Sequence, residues 1–483
     1  MIRILAFALV AMLGAAPSAK AAVTISSAAT SNMSCVSGIC SPTAPNAVLN
    51  AGDLTAMLAS ESVTVNTGTG PLPQQEEDII VAATFNWASA NALTLDAYRS
   101  VTVTAPVAVN GSAPVALVTN DGGSGGNLFF ISGGSLSFLG TTNSLSINGS
   151  IYKLENSVAT LAAAIAHKAS GYYALSASYD ASHDGTYRHA PVQTKFEGAF
   201  NALGNAIANL SVKSGDKNIG LFAAVKPGGA VNSLVITNAN ISAIKTTFVG
   251  TAVGDNGGTI FNSAASGRVN GVLSEDAESA LGGLIGANTG TIIDSSASTA
   301  IAATSKSKPF GEGQLGGLVG LNYGTLAYSY ATGSISATGN DLSVLSGGLT
   351  SSNGGSIENC FAEGNVKISG SPMSGGLVGI TVTSIADSYS TGAASGGGSN
   401  VGGFVGYDGS KGALSGDYWD TSTSGITNPG QGAGTPVNDP GITGETTAQL
   451  QAALPAGFDP TIWAENPSIN NGLPYLIANP PAP

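Results

Sequence analysis

Five copies of a glycine-bounded segment occupy the second half of the chain, and they restrict its fold more than any other feature, because a repeat of near-constant length implies a stack of equivalent units. The clearest copy reads Leu315-Gly316-Gly317-Leu318-Val319-Gly320-Leu321-Asn322-Tyr323-Gly324-Thr325-Leu326 and continues as Ala327-Tyr328-Ser329-Tyr330-Ala331-Thr332-Gly333. Leu281-Gly282-Gly283-Leu284-Ile285-Gly286-Ala287-Asn288-Thr289-Gly290-Thr291-Ile292 stands before it. Gly347-Gly348-Leu349, Gly375-Gly376-Leu377-Val378-Gly379 and Gly402-Gly403-Phe404-Val405-Gly406 follow. The first glycine recurs after 34, 31, 28 and 27 residues, and a partial sixth copy lies at Val253 to Ser263.

A period near 30 fits either paired helices or coils of short strands. Glycine pairs with Thr, Ser, Val and Ile in runs of four to six favour strands and turns. Helix-pair repeats would need Ala, Leu, Glu and Lys at helical spacing, which the region between Gly250 and Gly430 does not offer. Each repeat therefore reads as one coil of a parallel β-solenoid, stacked on the next at ~4.8 Å. Stacking requires matched columns, and the columns agree. One holds Leu284, Leu318, Leu349, Leu377 and Phe404; a second holds Ile260, Ile292, Leu326, Ile357 and Ile385. A third holds Ser263, Ser295, Ser329, Cys360 and Ser388, and two residues on come Ala265, Ala297, Ala331, Ala362 and Ser390. Period-two alternation places both small columns inside, so Cys360 reads as a buried thiol in a serine slot. The column Asn256, Asn288, Asn322 and Asn353 precedes a glycine by two residues, which fits a tight turn with stacked amides.

The residue between the two small columns faces outward: Ala264, Ser296, Tyr330, Phe361, Tyr389. Tyr330, Phe361 and Tyr389 form the candidate ligand-binding face, where exposed rings would stack on sugar rings; rings stacking on one another is the plainer reading. Short apolar strands with Gly, Asn and Asp turns give the first half a solenoid character too. Short helices are expected at Asp53–Ser60, with Asp53 as N-cap, at Val158–Lys168, and at Thr447–Leu454. His167 near the end of the second suits a helix C-terminus.

Residues Met1 to Ala21 read as a secretory signal peptide, with Arg3 basic, Ile4–Ala16 apolar and Ala19-Lys20-Ala21 at the cleavage site. The protein is thus expected to be exported, to the extracellular space or cell surface, with the periplasm as the other compartment. No later run is apolar enough for a spanning helix. Export favours a disulfide between Cys35 and Cys40. Lys and Arg number 16 against 29 Asp and Glu, a net charge of −13, which argues against nucleic acid as a partner. No cofactor or metal is expected. His183 and His189 cluster with Asp180, Asp184 and Arg188 but show no catalytic or metal-binding spacing, and read as a solvated loop. Asn120-Asp121-Gly122 lacks the oxygen ligands of a calcium loop. A carbohydrate-active enzyme would need converging carboxylates, whereas Asp294, Glu358, Glu363 and Asp387 stand singly at outward or turn positions. No catalytic residue is therefore assigned.

Gly-Gly-Leu-Val-Gly, followed by Asn-x-Gly-Thr-Ile and Ser-Tyr-Ala-Thr-Gly, resembles the GLUG-motif repeats of bacterial surface and secreted proteins over roughly Gly220 to Gly425. Asp78–Val81, Leu93–Ser100 and Phe196–Asn205 look like the segments before such repeats in filamentous-haemagglutinin-like exoproteins. Asp417-Tyr418-Trp419-Asp420 and Gly472–Leu476 are similar to their terminal cap. Thr350-Ser351-Ser352 and Thr381-Val382-Thr383 depart from the repeat, and neither a long secretion domain nor a C-terminal set of barrel strands is found. The resemblance implies adhesion or surface association, with glycans or host or neighbouring cell surfaces as partners and no fixed ligand. The expected organisation is an all-β, right-handed parallel β-helix with a few short helices: signal peptide 1–21, N-terminal cap 22–70, haemagglutinin-like β-helix 71–215, GLUG repeats 216–425, C-terminal cap and tail 426–483. The alternatives are a glycan lyase or hydrolase on the same fold and a structural spacer of a larger surface system.

Overall fold

A computed structural model describes residues 22–68, 77–140, 142–244, 247–273, 279–305, 313–339, 344–368, 372–398 and 400–481. The expected signal peptide lies outside them. Two β-solenoids follow one another along the chain, each with its own apolar core. In the first, a coil runs Asp78–Val81, Phe85–Trp87, Leu93–Asp96, and the next runs Val101–Val103, Pro106–Val109, Pro114–Val118. Equivalent strands pair in parallel, so Val63, Leu93, Val115 and Leu145 form one interior column. Residues 22–66, expected as a cap, already supply strands to two of these sheets. Helix α1, Ala51–Ser60, closes the remaining side with Leu54 and Leu58 fully buried. Its N-cap is Asn50 and not Asp53, because the Asn50 Oδ1 accepts from the amides of Gly52 and Asp53 at 2.8 and 3.2 Å.

The solenoids meet at a hairpin. Strand Ser144–Ile147 turns through Asn148-Gly149, both at positive φ, into the antiparallel strand Ser150–Glu155, which then pairs in parallel with Tyr172–Leu175. The core changes face at the same place. Leu145, Ile147, Tyr152 and Ala174 face the first core, whereas Tyr173 and Leu175 face the second. Reversing strand direction and core face together leaves the sense of winding unchanged, as the handedness of parallel crossovers requires. Helix α2, Val158–His167, covers the start of the second core with Leu161 and Ile165. The boundary expected at 215/216 is no break, since Val212, Ile219 and Leu221 share that core.

Coils of the second solenoid pass through four parallel sheets, as in Ser279–Gly282, Ile285–Asn288, Thr291–Ile293, Ser296–Ser305. The motif's first glycine marks a corner too tight for a side chain. A Cβ on Gly316 would stand 1.9 Å from the Val319 carbonyl, and one on Gly402 1.9 Å from that of Val405. The leucine column ending in Phe404 is fully buried.

Buried polar side chains run in two ladders. Asn256 Nδ2 donates to Asn288 Oδ1, Asn288 to Asn322 and Asn322 to Asn353, each at 2.8 Å, and Asn353 donates to Thr381 Oγ1. Each asparagine Oδ1 also accepts from the glycine amide two residues on, as from Gly290 at 3.1 Å. In the second ladder, the Ser263 amide donates to Ser295 Oγ, Ser295 to Ser329, Cys360 to Ser388 and Ser388 to the Asp417 carboxyl. Each hydroxyl donates to its own chain two residues back, as Ser329 does to Ala327 at 2.7 Å. Because these groups are buried, a coil slipped by one residue would leave them unpaired at ~1–3 kcal/mol each.

Asn322→Leu removes an acceptor from Asn288 and a donor from Asn353. It is expected to cost about 3 kcal/mol or more, read from the midpoint of chemical denaturation; a loss under about 1 kcal/mol would show that the ladder does not hold register.

Candidate functional site

Tyr330, Phe361 and Tyr389 are register partners on three successive coils, and their side chains leave the sheet on the side away from the core. Their rings stack at 4.6 Å and 5.0 Å with interplanar angles of 7° and 5°. Tyr418 extends the column by one coil. The rings do not form an open face. Residues Leu450, Phe458, Trp463, Leu473 and Leu476 fold back over them as a separate apolar cluster, leaving Phe361 and Tyr389 with no exposure and Tyr330 with 8%. Trp463 packs across Phe361 and Tyr389 and donates from Nε1 to Asn359 Oδ1 at 2.9 Å. Tyr389 donates to the Pro474 carbonyl at 2.7 Å and Tyr418 to that of Ala456 at 2.8 Å. The expected ligand face is therefore an internal interface: three large rings in a row form an apolar stripe, and the C-terminal segment supplies the apolar partner that removes it from water. Helix α3, Thr447–Leu450, begins that segment with a Thr446–Gln449 capping box. It ends four residues earlier than expected, because the chain turns to bring Leu454 and Phe458 onto the rings.

Beside the ladder is a cleft of about 440 Å³. Its floor is Ala264, Ser296 and Tyr330, and its roof is the segment from Pro467 to Asn471. Glu363, on the wall, is bonded by the Tyr389 hydroxyl at 3.3 Å, and burial pushes its carboxyl above the usual range.

A second cleft, about 530 Å³, lies where the first solenoid meets the second and the C-terminal segment. The Phe129 and Phe261 rings meet across the junction at 5.3 Å, and Asn262 Nδ2 donates to the Phe130 carbonyl. Asp78, Arg99, Asp294 and Tyr328 line this cleft. The Arg99 guanidinium pairs with Asp78 and Glu77, and Asp78 also accepts from the Ser100 amide. Asp294 is 7% exposed, and burial alone pushes its carboxyl up to about 7. Asp294 and Glu363 thus depart from the expectation that the repeat carboxylates are outward and solvated. The first solenoid encloses Asp294, and the C-terminal segment encloses Glu363. Asp417 and Asp420, read from the sequence only as part of a terminal cap, are wholly buried. Asp417 continues the serine column, and that position was legible in the spacing.

Cys35 and Cys40 are bridged, S–S 2.01 Å, across the hairpin Met33–Val36/Ile39–Pro42. Cys360 is buried and its thiol is pushed up to about 12 by burial, so it is not a nucleophile. His183 is exposed, and His189 pairs with Asp216 at 2.8 Å on the surface. Asp184 accepts instead from the Tyr179 and Tyr187 hydroxyls. Among the described residues, no group of three His, Cys, Asp or Glu could hold a metal, and no helix is long and apolar enough to cross a membrane.

The family described as the GLUG motif matches residues 311–336, whose described part holds Gly313–Gly316, Val319–Asn322, Thr325–Ala327 and Tyr330–Ala331, one strand in each of the four sheets. A stretch of 77 residues, 16% of the chain, is 46% identical to halomucin of Haloquadratum walsbyi, and it spans about 1% of that protein's length. The chain carries a GLUG motif, and the matched stretch lies in one coil of the repeat stack of the second solenoid.

Trp463→Ala should cost about 3 kcal/mol of local stability and make residues 446–476 cleavable by protease while the solenoid stays resistant; equal protection in both proteins would argue against the clasp. Asp294 contributes to the pH dependence together with Asp417 and Glu363, whose carboxyls burial also raises. With a folded pKa of about 7 against 3.8 for a free aspartate, the native state holds the extra proton. Stability falls as pH rises from about 4 to 7 and levels off above. Asp294→Asn, matching Asn262 and Asn359 at the same positive-φ corner, should flatten that slope and raise stability at pH 7.5 by on the order of 2–4 kcal/mol. An unchanged profile in chemical denaturation would refute this.

Proposed function

We propose that this chain is an exported, non-catalytic repeat protein that works at the cell surface or outside the cell, as a rigid module making adhesive contact through its outer faces. A GLUG repeat on a β-solenoid fits a surface or structural repeat protein. The observation that carries the reading is the use made of buried polar chemistry. The Asn and Ser side chains of the interior are committed to the ladders that hold the coils in register. The one thiol left outside the disulfide is inert in the same column. Outward columns such as Thr259, Thr291, Thr325 and Ser356 offer a repetitive hydroxyl surface of the kind that extended binding faces use. The leader-like segment at residues 1–21 and the bridged Cys35 and Cys40 support export.

One observation favours a second reading, a glycan hydrolase. Asp78, paired with Arg99, and Asp294, whose carboxyl burial pushes up to about 7, line one cleft, and two carboxyls in one cleft are what glycoside hydrolysis needs.

Expression of the full chain followed by fractionation and N-terminal mass determination should find a protein outside the cytoplasm that begins at Ala22. Incubation of that product with neutral polysaccharides should release no reducing ends above background. Cytoplasmic retention with Met1–Ala21 intact would contradict export; release that is lost in Asp294→Asn would establish the hydrolase instead.

A further inference from the structure

One corner of the second solenoid is a column of left-handed residues. Asn262, Asp294, Tyr328 and Asn359 follow one another on successive coils, with φ between 48° and 51°. The two asparagines bond the segments that cover them. Asn262 Nδ2 donates to the Phe130 carbonyl of the first solenoid, and Asn359 Oδ1 accepts from Trp463 of the C-terminal segment. Asp294 lies between these two covers and bonds neither. It is 7% exposed, and nothing among the described residues donates to its carboxyl, burial being the one influence on its titration. Its side chain lines the cleft of about 530 Å³ that the two covers leave between them. An enclosed carboxyl without a donor is costly to the fold, and that cost points to a partner outside the chain.

We propose that this cleft binds a small primary amine, with the ammonium group on the Asp294 carboxylate and an apolar body along the opposite wall. The chemistry of the lining selects this class. Arg99 is the one cationic side chain among the described residues of the lining, and Glu77 and Asp78 already share it. Those three groups sum to one negative charge, so an anionic ligand finds no counter-charge. A metal ion lacks ligands, because among the described residues no three His, Cys, Asp or Glu side chains converge. An ammonium N–H needs only one carboxylate, and a charge-assisted bond of that kind is what Asp294 is missing. Phe129, Ile131, Ile462, Leu476 and Ile477 offer the rest of the ligand an apolar wall, which a sugar, hydroxylated all round, would leave unpartnered. Tyr328, the register neighbour of Asp294, brings an aromatic ring to the same lining. The volume lies within the range of small-ligand sites. Pairing with a cation also returns a buried carboxyl to its ionised form. The titratable groups around Asp294 are Asp78 and Arg99, which pair with each other, and Tyr328, on which Glu358 and Asp459 act. The C-terminal segment contributes no titratable side chain to the lining. This inference goes beyond the export and adhesion reading and does not need it. Hydrolysis at the same cleft would show as released reducing ends, which amine binding does not produce.

Titration calorimetry on the mature full-length protein tests it, with phenethylamine and hexylamine as the amines, 2-phenylethanol as the neutral probe, 3-phenylpropanoate as the anionic probe and calcium chloride as the metal alone. At least one amine is expected to bind, more than about tenfold tighter than 2-phenylethanol or 3-phenylpropanoate. Asp294 titrates at about 7 in the free protein and must ionise to take the ammonium, so affinity rises with pH up to about 7 and levels off above. Below that pH, binding releases a proton to the buffer, which the dependence of the measured heat on buffer identity reads. Asp294→Asn should lower amine affinity more than about tenfold and remove its pH dependence, with a melting temperature that holds or rises, which separates loss of the site from loss of the fold. Thr102, between Ile80 and Phe129 in register, lines the cleft from the first solenoid; Thr102→Trp fills the space without altering Asp294 and should also abolish binding. No amine binding at millimolar concentration, equal affinity for 2-phenylethanol, binding of 3-phenylpropanoate or calcium alone, or full affinity in either variant would each overturn the proposal.

Discussion

Vertical register between coils is the constraint on which the rest of the molecule depends. A parallel strand pair alone fixes spacing but tolerates slippage, since its hydrogen bonds repeat along the strand. Here the slip is blocked by side chains. Each Asn of the corner column bonds the Asn above and the glycine amide beside it, and each interior serine takes the backbone amide of the coil before. Those groups are dry, so any other alignment would strand several of them at once. The degenerate repeats respect the rule: Thr381 ends the Asn column by accepting from Asn353, and Cys360 donates from its thiol to the Glu358 carbonyl where a serine hydroxyl would stand.

Two solenoids on one sheet follow from the same logic. The 16-stranded sheet is continuous through the Asn148-Gly149 hairpin, so the second stack is templated on the last strand of the first without an exposed edge. The reversal moves the second core to the opposite face and brings the outer surface of the first solenoid against Phe261, Asn262 and Asp294 of the second. The junction cleft, and the elevated carboxyl in it, are products of this fold-back. A straight rod would have left Asp294 in water.

Function on such a scaffold is decided by what is laid over it. The ladder sheet presents a stripe of rings that would be an adhesive surface on a bare solenoid. The clasp turns four of them into a second core, and a polar cleft lies beside its Tyr330 end. The hydroxyl column Thr259, Thr291, Thr325 and Ser356 lies outside that clasp and keeps the repeat's periodicity.

Much of this was legible in the chain. Spacing alone identified the solenoid, the Leu, Ile, Ser, Ala and Asn columns, the outward position of Tyr330, Phe361 and Tyr389, and the inward position of Cys360, because a residue's side of its own strand is a local property with period two. Asn148-Gly149 between alternating apolar residues is a hairpin signal that sequence reasoning passed over, and the change of core face has no local signal. What covers an outward residue is settled by contacts between distant parts of the chain. Trp463 meets Asn359 across 104 positions, and Asn262 meets Phe130 across 132. No period relates those pairs, so burial of the rings, of Glu363 and of Asp294 was decided only when the C-terminal segment and the first solenoid closed over the stack.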